Sequence, residues 1–258
     1  MTTLVYNRLK NMLLTHISPN IYISDYEDER DRPRLGYIHG SSVSVMIDAG
    51  ASKDHAESFL AQLQALQLPK PQLVLLTHWH WDHVFGLHAL PFTSICTHAT
   101  QQKLIEMSQW QWDDTSMAHR IASGEDILFC DEHIRKEYPD RSMITVMPAQ
   151  LTFDDHFNFH SGNLDIQAFK LPNDHSSDAC VVFIPQERVL FLGDIISPDY
   201  HHGDEHYTHE HLNGLIQALQ ALDFEHAIHG HTEVYTKASL LDELYAEMHT
   251  LESHATRY

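Results

Sequence analysis

The stretch that decides the fold is Leu73-Val-Leu-Leu-Thr77-His78-Trp79-His80-Trp81-Asp82-His83. Its four apolar residues form an unbroken run shortly after Pro71, the pattern of a short strand buried on both faces. Three imidazoles and a carboxylate then fall between positions 78 and 83, where the strand ends and a helix is expected. A strand sends successive side chains to opposite faces, but a loop at its end can make them converge. Converging neutral imidazoles and a carboxylate suit a metal ion, and the interleaved Trp79 and Trp81 would exclude water and stiffen the loop. A polar turn that is merely rich in histidine is the bland alternative.

Upstream, residues 37–48 (YIHGSSVSVMID) alternate apolar side chains around a Gly-Ser-Ser centre and predict a strand hairpin closed by Gly50. Ser52 or Asp54 can cap the next helix, whose Phe59, Leu60, Leu63 and Leu66 form one stripe ending before Pro69. Downstream, 94–97 read as a strand and 100–107 as a helix. Residues 108–143 carry Trp110, Trp112 and a Tyr138-Pro139 break with weak periodicity, and predict a helical excursion over the surface, a candidate lid. Strands are expected at 151–153, 157–159 and 164–171, the last two joined through Ser161-Gly162-Asn163, and a further hairpin at 181–184 and 189–192. A helix bearing Leu212, Leu215, Ile216, Leu219 and Leu222, a strand near Ala227-Ile228 and a final helix over about 238–248 complete the chain. Hairpins and strand–helix units recur in both halves, which predicts two similar α/β halves. No linker or repeat marks a boundary, so a single domain over 1–258 is expected.

The 258 residues include 16 Lys+Arg, 36 Asp+Glu and 23 His, a formal charge of −20, and 43% are hydrophobic. That is apolar enough for a large core and argues against disorder. The charge, with basic residues scattered rather than clustered, disfavours nucleic acid and anionic membranes as partners. Cys96, Cys130 and Cys180 are odd in number, widely spaced and without a C-x-x-C pair, as in a chain kept reduced. The N-terminal stretch lacks a run resembling an export signal, and no 18-residue apolar run occurs, so a cytoplasmic location is expected. The histidine excess is the one compositional anomaly that points to chemistry.

The spacing H-x-H-x-D-H over 78–83 resembles the signature of the metallo-β-lactamase superfamily, and other segments follow that pattern in order. His175 in Leu171-Pro-Asn-Asp-His-Ser-Ser-Asp stands after a strand. Asp194 in Phe191-Leu-Gly-Asp ends a hairpin, and His231 in Ala227-Ile-His-Gly-His-Thr lies near a late strand. The usual Pro-Gly-His-Gly form of the last motif is altered here to His229-Gly230-His231-Thr232, which leaves His229 as an alternative ligand. The resemblance spans about residues 17–235. It implies a four-layer αβ/βα sandwich in which two mixed β-sheets are flanked by helices. It also implies two divalent ions per chain, zinc first with iron or manganese as alternatives. His78, His80 and His175 would hold the first ion, Asp82, His83 and His231 the second, and Asp194 would bridge them. A bridging hydroxide would then attack an electrophilic centre, with Asp82 as the catalytic residue that orients the nucleophile and shuttles a proton. His229 or Asp174 are candidates for orienting the ligands, from proximity in sequence.

The expected function is hydrolysis of a small-molecule ester, thioester, lactone or phosphodiester. A true β-lactamase is disfavoured by the absent export signal and by Asp194, which marks other branches. A glutathione thioester is disfavoured because Lys237 and Arg257 are the sole cations after His231. The alternatives are a nuclease of the same superfamily, which would need a basic exosite, and a mononuclear iron enzyme acting on oxygen or a persulfide. Homo-oligomerisation is left open. The histidine-rich tract His201–His211 reads as a solvated loop, a wall of the pocket formed by Tyr200, His201 or His202, or a third metal site. Trp110 and Trp112 read as partial core ahead of lid aromatics, Cys180 as a buried strand residue, and Ser176 and Ser177 lack a G-x-S-x-G context.

Overall fold

A computed structural model describes residues 14–255; the N-terminal stretch read for an export signal lies mostly outside them, as does Arg257. The seven-stranded first sheet has the order β1 (Leu14–Ser18), β2 (Ile21–Ser24), β3 (Gly36–Ile38), β4 (Val45–Ile47), β5 (Leu73–Leu75), β6 (Thr93–Thr97) and β7 (Leu151–Phe153). Pairing is antiparallel from β1 to β4 and parallel from β4 to β7. The six-stranded second sheet comprises β8 (His156–His160), β9 (Asp165–Phe169), β10 (Val181–Ile184), β11 (Val189–Gly193), β12 (His226–His229) and β13 (Tyr235–Thr236), in the order β13-β12-β11-β10-β9-β8. Only its β11–β12 pair is parallel. Both sheets are therefore mixed.

The continuous apolar strands are buried on both faces because each side of their pleat meets a different core. Val45, Ile47 and Leu75 point between the sheets to meet Val182, Ile184, Val189 and Phe191, while Met46, Val74 and Leu76 point to the outer helical layer. In the second sheet, Val181, Phe183, Leu190 and Leu192 turn away from that central core to meet Leu212, Leu215, Ile216 and Leu219. The layers thus run helix, sheet, sheet, helix. This is the four-layer arrangement expected, assembled by period-two alternation within runs that look uniform in sequence.

The outer helices are α1 (Lys53–Ala65), the one-turn α2 (Trp81–Val84), α3 (His98–Met107), α4 (Asp114–Ser123), α5 (Leu128–Glu137), α6 (His209–Ala221) and α7 (Lys237–Ala255). Ser52, not Asp54, caps α1, its hydroxyl accepting the His55 N–H. Such a cap contributes about 1 kcal/mol. Helix α3 starts earlier than the periodicity implied, because Thr97 caps it through the Thr100 N–H. Residues 108–143 are helical as expected, but one face belongs to the core: Trp112, Met117, Ile134 and Tyr138 are buried with the residues of β5 and α1. The Arg120 guanidinium lies 4.6 Å from the Trp110 ring and 4.7 Å from the Trp112 ring. The β1–β2 hairpin and the two-residue β13 escaped the sequence reading, since short strands with polar residues carry little periodicity. Among the described residues no helix is long and apolar enough to cross a membrane.

Candidate metal centre

The loop ends of both sheets meet at one edge of the sandwich. β5 delivers Thr77 and His78, α2 carries Asp82 and His83, the loop after β9 supplies His175, β11 leads into Asp194, and the loop after β12 carries His231. Two glycines make the approach feasible. Gly193 has φ +52°, and a Cβ there would stand 2.7 Å from Thr77 Oγ1; a Cβ on Gly230 would collide with Asp194 Oδ1.

Two donor groups result. One ligand atom from each of His78, His80 and His175 lies within 4.8 Å of the others, and the same holds for Asp82, His83, Asp194 and His231. Asp194 connects them: its Oδ2 is 3.3 Å from Nε2 of His83, 3.3 Å from Nε2 of His231 and 3.9 Å from Nε2 of His175. All seven residues singled out by sequence spacing are therefore brought together. Of the alternatives in the last motif, His231 enters the donor group, with Nε2 3.0 Å from Asp82 Oδ2. His229 stands behind it, with Nε2 3.1 Å from Ser197 Oγ and Nδ1 accepting the His231 N–H.

The hydrogen-bond network fixes which ring nitrogen is free. Thr77 Oγ donates to Asp48, so it accepts from Nδ1–H of His78 at 3.0 Å. The Pro198 carbonyl, 3.4 Å from Nδ1 of His175, can only accept. In both rings the proton sits on Nδ1 and Nε2 keeps its lone pair. The buried Nε2 atoms of His78, His83 and His175, with Oδ1 of Asp194, have no hydrogen-bond partner. Buried polar atoms are rarely left so, and the three ring nitrogens, each within one of the two donor groups, are what metal ions would satisfy. The donor set, imidazole with carboxylate, suits zinc, iron or manganese.

Electrostatics agree. Burial, aided by neighbouring imidazoles, holds His78 and His80 well below the usual histidine range, and burial lowers His175, so these rings are neutral donors. Burial also opposes charge on His83 and His231, but the carboxylates of Asp82 and Asp194 outweigh it and raise both well above the usual range. Asp194, buried yet facing His231 and His83, is held well below the usual carboxylate range. The two acids thus favour positive charge within this group, the charge a cation would bring.

Asp48 was not among the candidates, although it accepts from Thr77 N at 2.7 Å and lies 2.8 Å from His83 Nδ1. An acid ending the apolar Val-Met-Ile strand was the signal. Asp174, proposed as an orienting group, instead accepts from the N–H and hydroxyl of Thr208 and lies 2.8 Å from His211 Nδ1. That contact ties down the start of α6. Beside His80 and His175 opens a cavity of about 720 Å³, lined among others by Trp79, His201, His202, His206 and His211. The histidine-rich tract is thus a pocket wall, with the His201 ring stacked at 5.3 Å on His80. Trp112 is buried and Trp110 packs against the core, the partial-core reading of that pair. Cys180 is buried.

The sequence model of the family described as the metallo-beta-lactamase superfamily matches residues 36–231. Among solved structures the chain is similar to a metallo-beta-lactamase from Pontibacter korlensis, at 18% identity and a TM-score of 0.63, covering 92% of this chain and 99% of that one. It is similar also to a metallo-beta-lactamase from Hirschia baltica, at 16% identity and a TM-score of 0.62, covering 92% and 97% of the two chains. A double mutant of a sec-alkyl sulfatase matches at 17% identity and a TM-score of 0.63, over 93% of this chain and 43% of that one. At these identities the likeness is one of fold.

Proposed function

The chain belongs to the metallo-β-lactamase superfamily, and from that premise we propose that it is a dinuclear, zinc-dependent cytoplasmic hydrolase of small-molecule esters, thioesters, lactones or phosphodiesters. The carrying observation is the pair of donor groups joined by Asp194, with unpartnered Nε2 atoms turned inward. His78, His80 and His175 would hold one ion, Asp82, His83 and His231 the other, and Asp194 both. When bound, such ions polarise a substrate oxygen and bring the pKa of water from 15.7 to about 7.

The chain's own residues do the rest. Asp82 is buried and ionised, held low by His83 and His231 against the effect of burial, so its carboxylate is an acceptor facing the reacting space. It would orient the attacking water by accepting a hydrogen bond from it and relay a proton to the leaving group. Asp48, Thr77 and the Pro198 carbonyl keep the rings from rotating. Trp79 and His201 screen one side of His80 from water.

Among the described residues Lys103 is the only lysine or arginine lining the cavity, against Glu106, Glu125, Asp174, Asp178 and Asp199. It is already paired with Glu125 at 2.9 Å and Glu106 at 3.3 Å. A phosphate backbone would find no basic track there, which favours a small-molecule substrate over nucleic acid.

Metal analysis of protein expressed without chelator tests the reading. About two zinc per chain, with turnover of an aryl ester or lactone that disappears in Asp82→Ala, is the expected result. One iron per chain would replace the proposal with an oxidoreductase, and salt-dependent RNA binding with cleavage would replace it with a nuclease.

A further inference from the structure

The segment before β3 holds the chain around His231 at four points. Arg34 N–H donates to the Gly230 carbonyl at 2.7 Å, and Arg34 Nε donates to the Thr232 carbonyl at 2.9 Å, one residue to either side of His231. Asp31 Oδ1 lies 3.4 Å from Nδ1 of His231 itself. Pro33 fills the remaining space, its Cβ being 3.3 Å from where a side chain on Gly230 would begin.

The segment is itself anchored. Glu27 and Arg32 exchange backbone hydrogen bonds of 2.9 and 3.0 Å, closing the loop that presents Asp31. Asp31 has φ +54°, a left-handed conformation that Asp and Asn tolerate better than other side chains. The Arg32 guanidinium forms a bidentate pair, at 2.9 and 2.8 Å, with Glu137 at the end of α5, whose side chain is 1% exposed. Arg34 is buried and also donates to the Ser24 carbonyl at 3.0 Å. These groups come from positions 24–34, 137 and 230–232, and every one of them restricts the loop or the ring of a single histidine.

We propose that residues 27–34 form a clamp that orients His231 toward the second ion, with Asp31 and Arg34 as positioning residues and Glu137 as the anchor that ties the clamp to the helical segment 108–143. The inference rests on the reading above that His231 is a metal ligand. A carboxylate on the outer nitrogen of a ligating histidine fixes its tautomer and ring plane, and losing such a partner weakens metal binding about 10- to 100-fold. The clamp would act chiefly on the second ion, since His78, His80 and His175 make none of these contacts.

The test is equilibrium competition for zinc between the full-length zinc-loaded protein and a chromogenic chelator. Asp31→Gly removes the carboxylate while accommodating the left-handed backbone, and Asp31→Asn keeps an oxygen in the same place. In D31G one zinc equivalent should be held about 10- to 100-fold more weakly and the other as in the wild type, with D31N within about threefold of wild type. If D31G does not fold, Asp31→Ser is read in the same way. Wild-type affinity for both equivalents, or a parallel loss of both, overturns the clamp. Wild-type protein holding fewer than two zinc overturns the dinuclear reading itself, and that result is visible before any variant is made.

Discussion

The carboxylate of Asp48 lies 2.8 Å from Nδ1 of His83 and at the same time accepts the backbone N–H of Thr77 at 2.7 Å. One acid, at the end of β4, therefore sets both the exit of β5 and the orientation of a donor ring. Asp48→Ala would leave a buried N–H and a buried ring nitrogen without partners. Each such loss costs about 1–3 kcal/mol. A fall in unfolding free energy of at least that order, read by urea denaturation, is expected, together with metal affinity about 10- to 100-fold weaker. A variant with wild-type stability and metal content would show that the contact is incidental.

Gly193 offers a second, purely steric prediction. A methyl group there meets Thr77 Oγ1 at 2.7 Å and must take φ +52°, so the ends of β5 and β11 would be forced apart. Gly193→Ala should destabilise by about 1–3 kcal/mol and also disturb Asp194, its neighbour in sequence. Thermal melting combined with zinc counting measures both, and an unchanged melt would contradict the close approach.

His55, which is not itself one of the donors, predicts a pH dependence. Its Nδ1 accepts the Ala51 N–H at 3.2 Å, its Nε2 is buried without a partner, and burial, aided by Arg32, pushes it well below 6.5. The folded state thus refuses a proton that the unfolded state takes up below about pH 6.5. Stability from this group is complete above 6.5 and is lost as pH falls from there toward the depressed folded value. In His55→Asn, which retains an acceptor but does not titrate, the slope of unfolding free energy between pH 6.5 and 5 should shrink by up to about 1.4 kcal/mol per pH unit. Equal slopes in the two proteins would rule this out.

Metal removal should be felt in stability as well as activity. An ion that binds only the folded protein adds about 4 kcal/mol at a thousandfold excess over its dissociation constant. Chelation should therefore lower the melting temperature by several degrees, and added zinc should restore it. A melt indifferent to chelator would mean that the donor groups hold no ion in the purified protein.

Local rules carried much of the architecture. The runs at 73–76, 181–184 and 189–192 are strands because alternate side chains find two cores, and a two-sided strand is legible as an unbroken apolar stretch. His78, His80, Asp82 and His83 were legible together because one turn at a strand end brings them close whatever the rest of the chain does. His175, Asp194 and His231 came from a resemblance in spacing, since nothing in their own neighbourhoods distinguishes them among 23 histidines and 36 acids.

The tertiary structure alone decided which groups stand behind those donors. Asp31 against His231, Asp48 against His83 and Arg34 across Gly230 and Thr232 join segments far apart in sequence. Asp174, adjacent to His175, turned instead to Thr208 and His211. Sequence periodicity records which face of an element is buried, a property of neighbours two to four residues apart. Which loop meets which depends on how two sheets pack and where their ends come to rest, and that is settled only when the whole sandwich has closed.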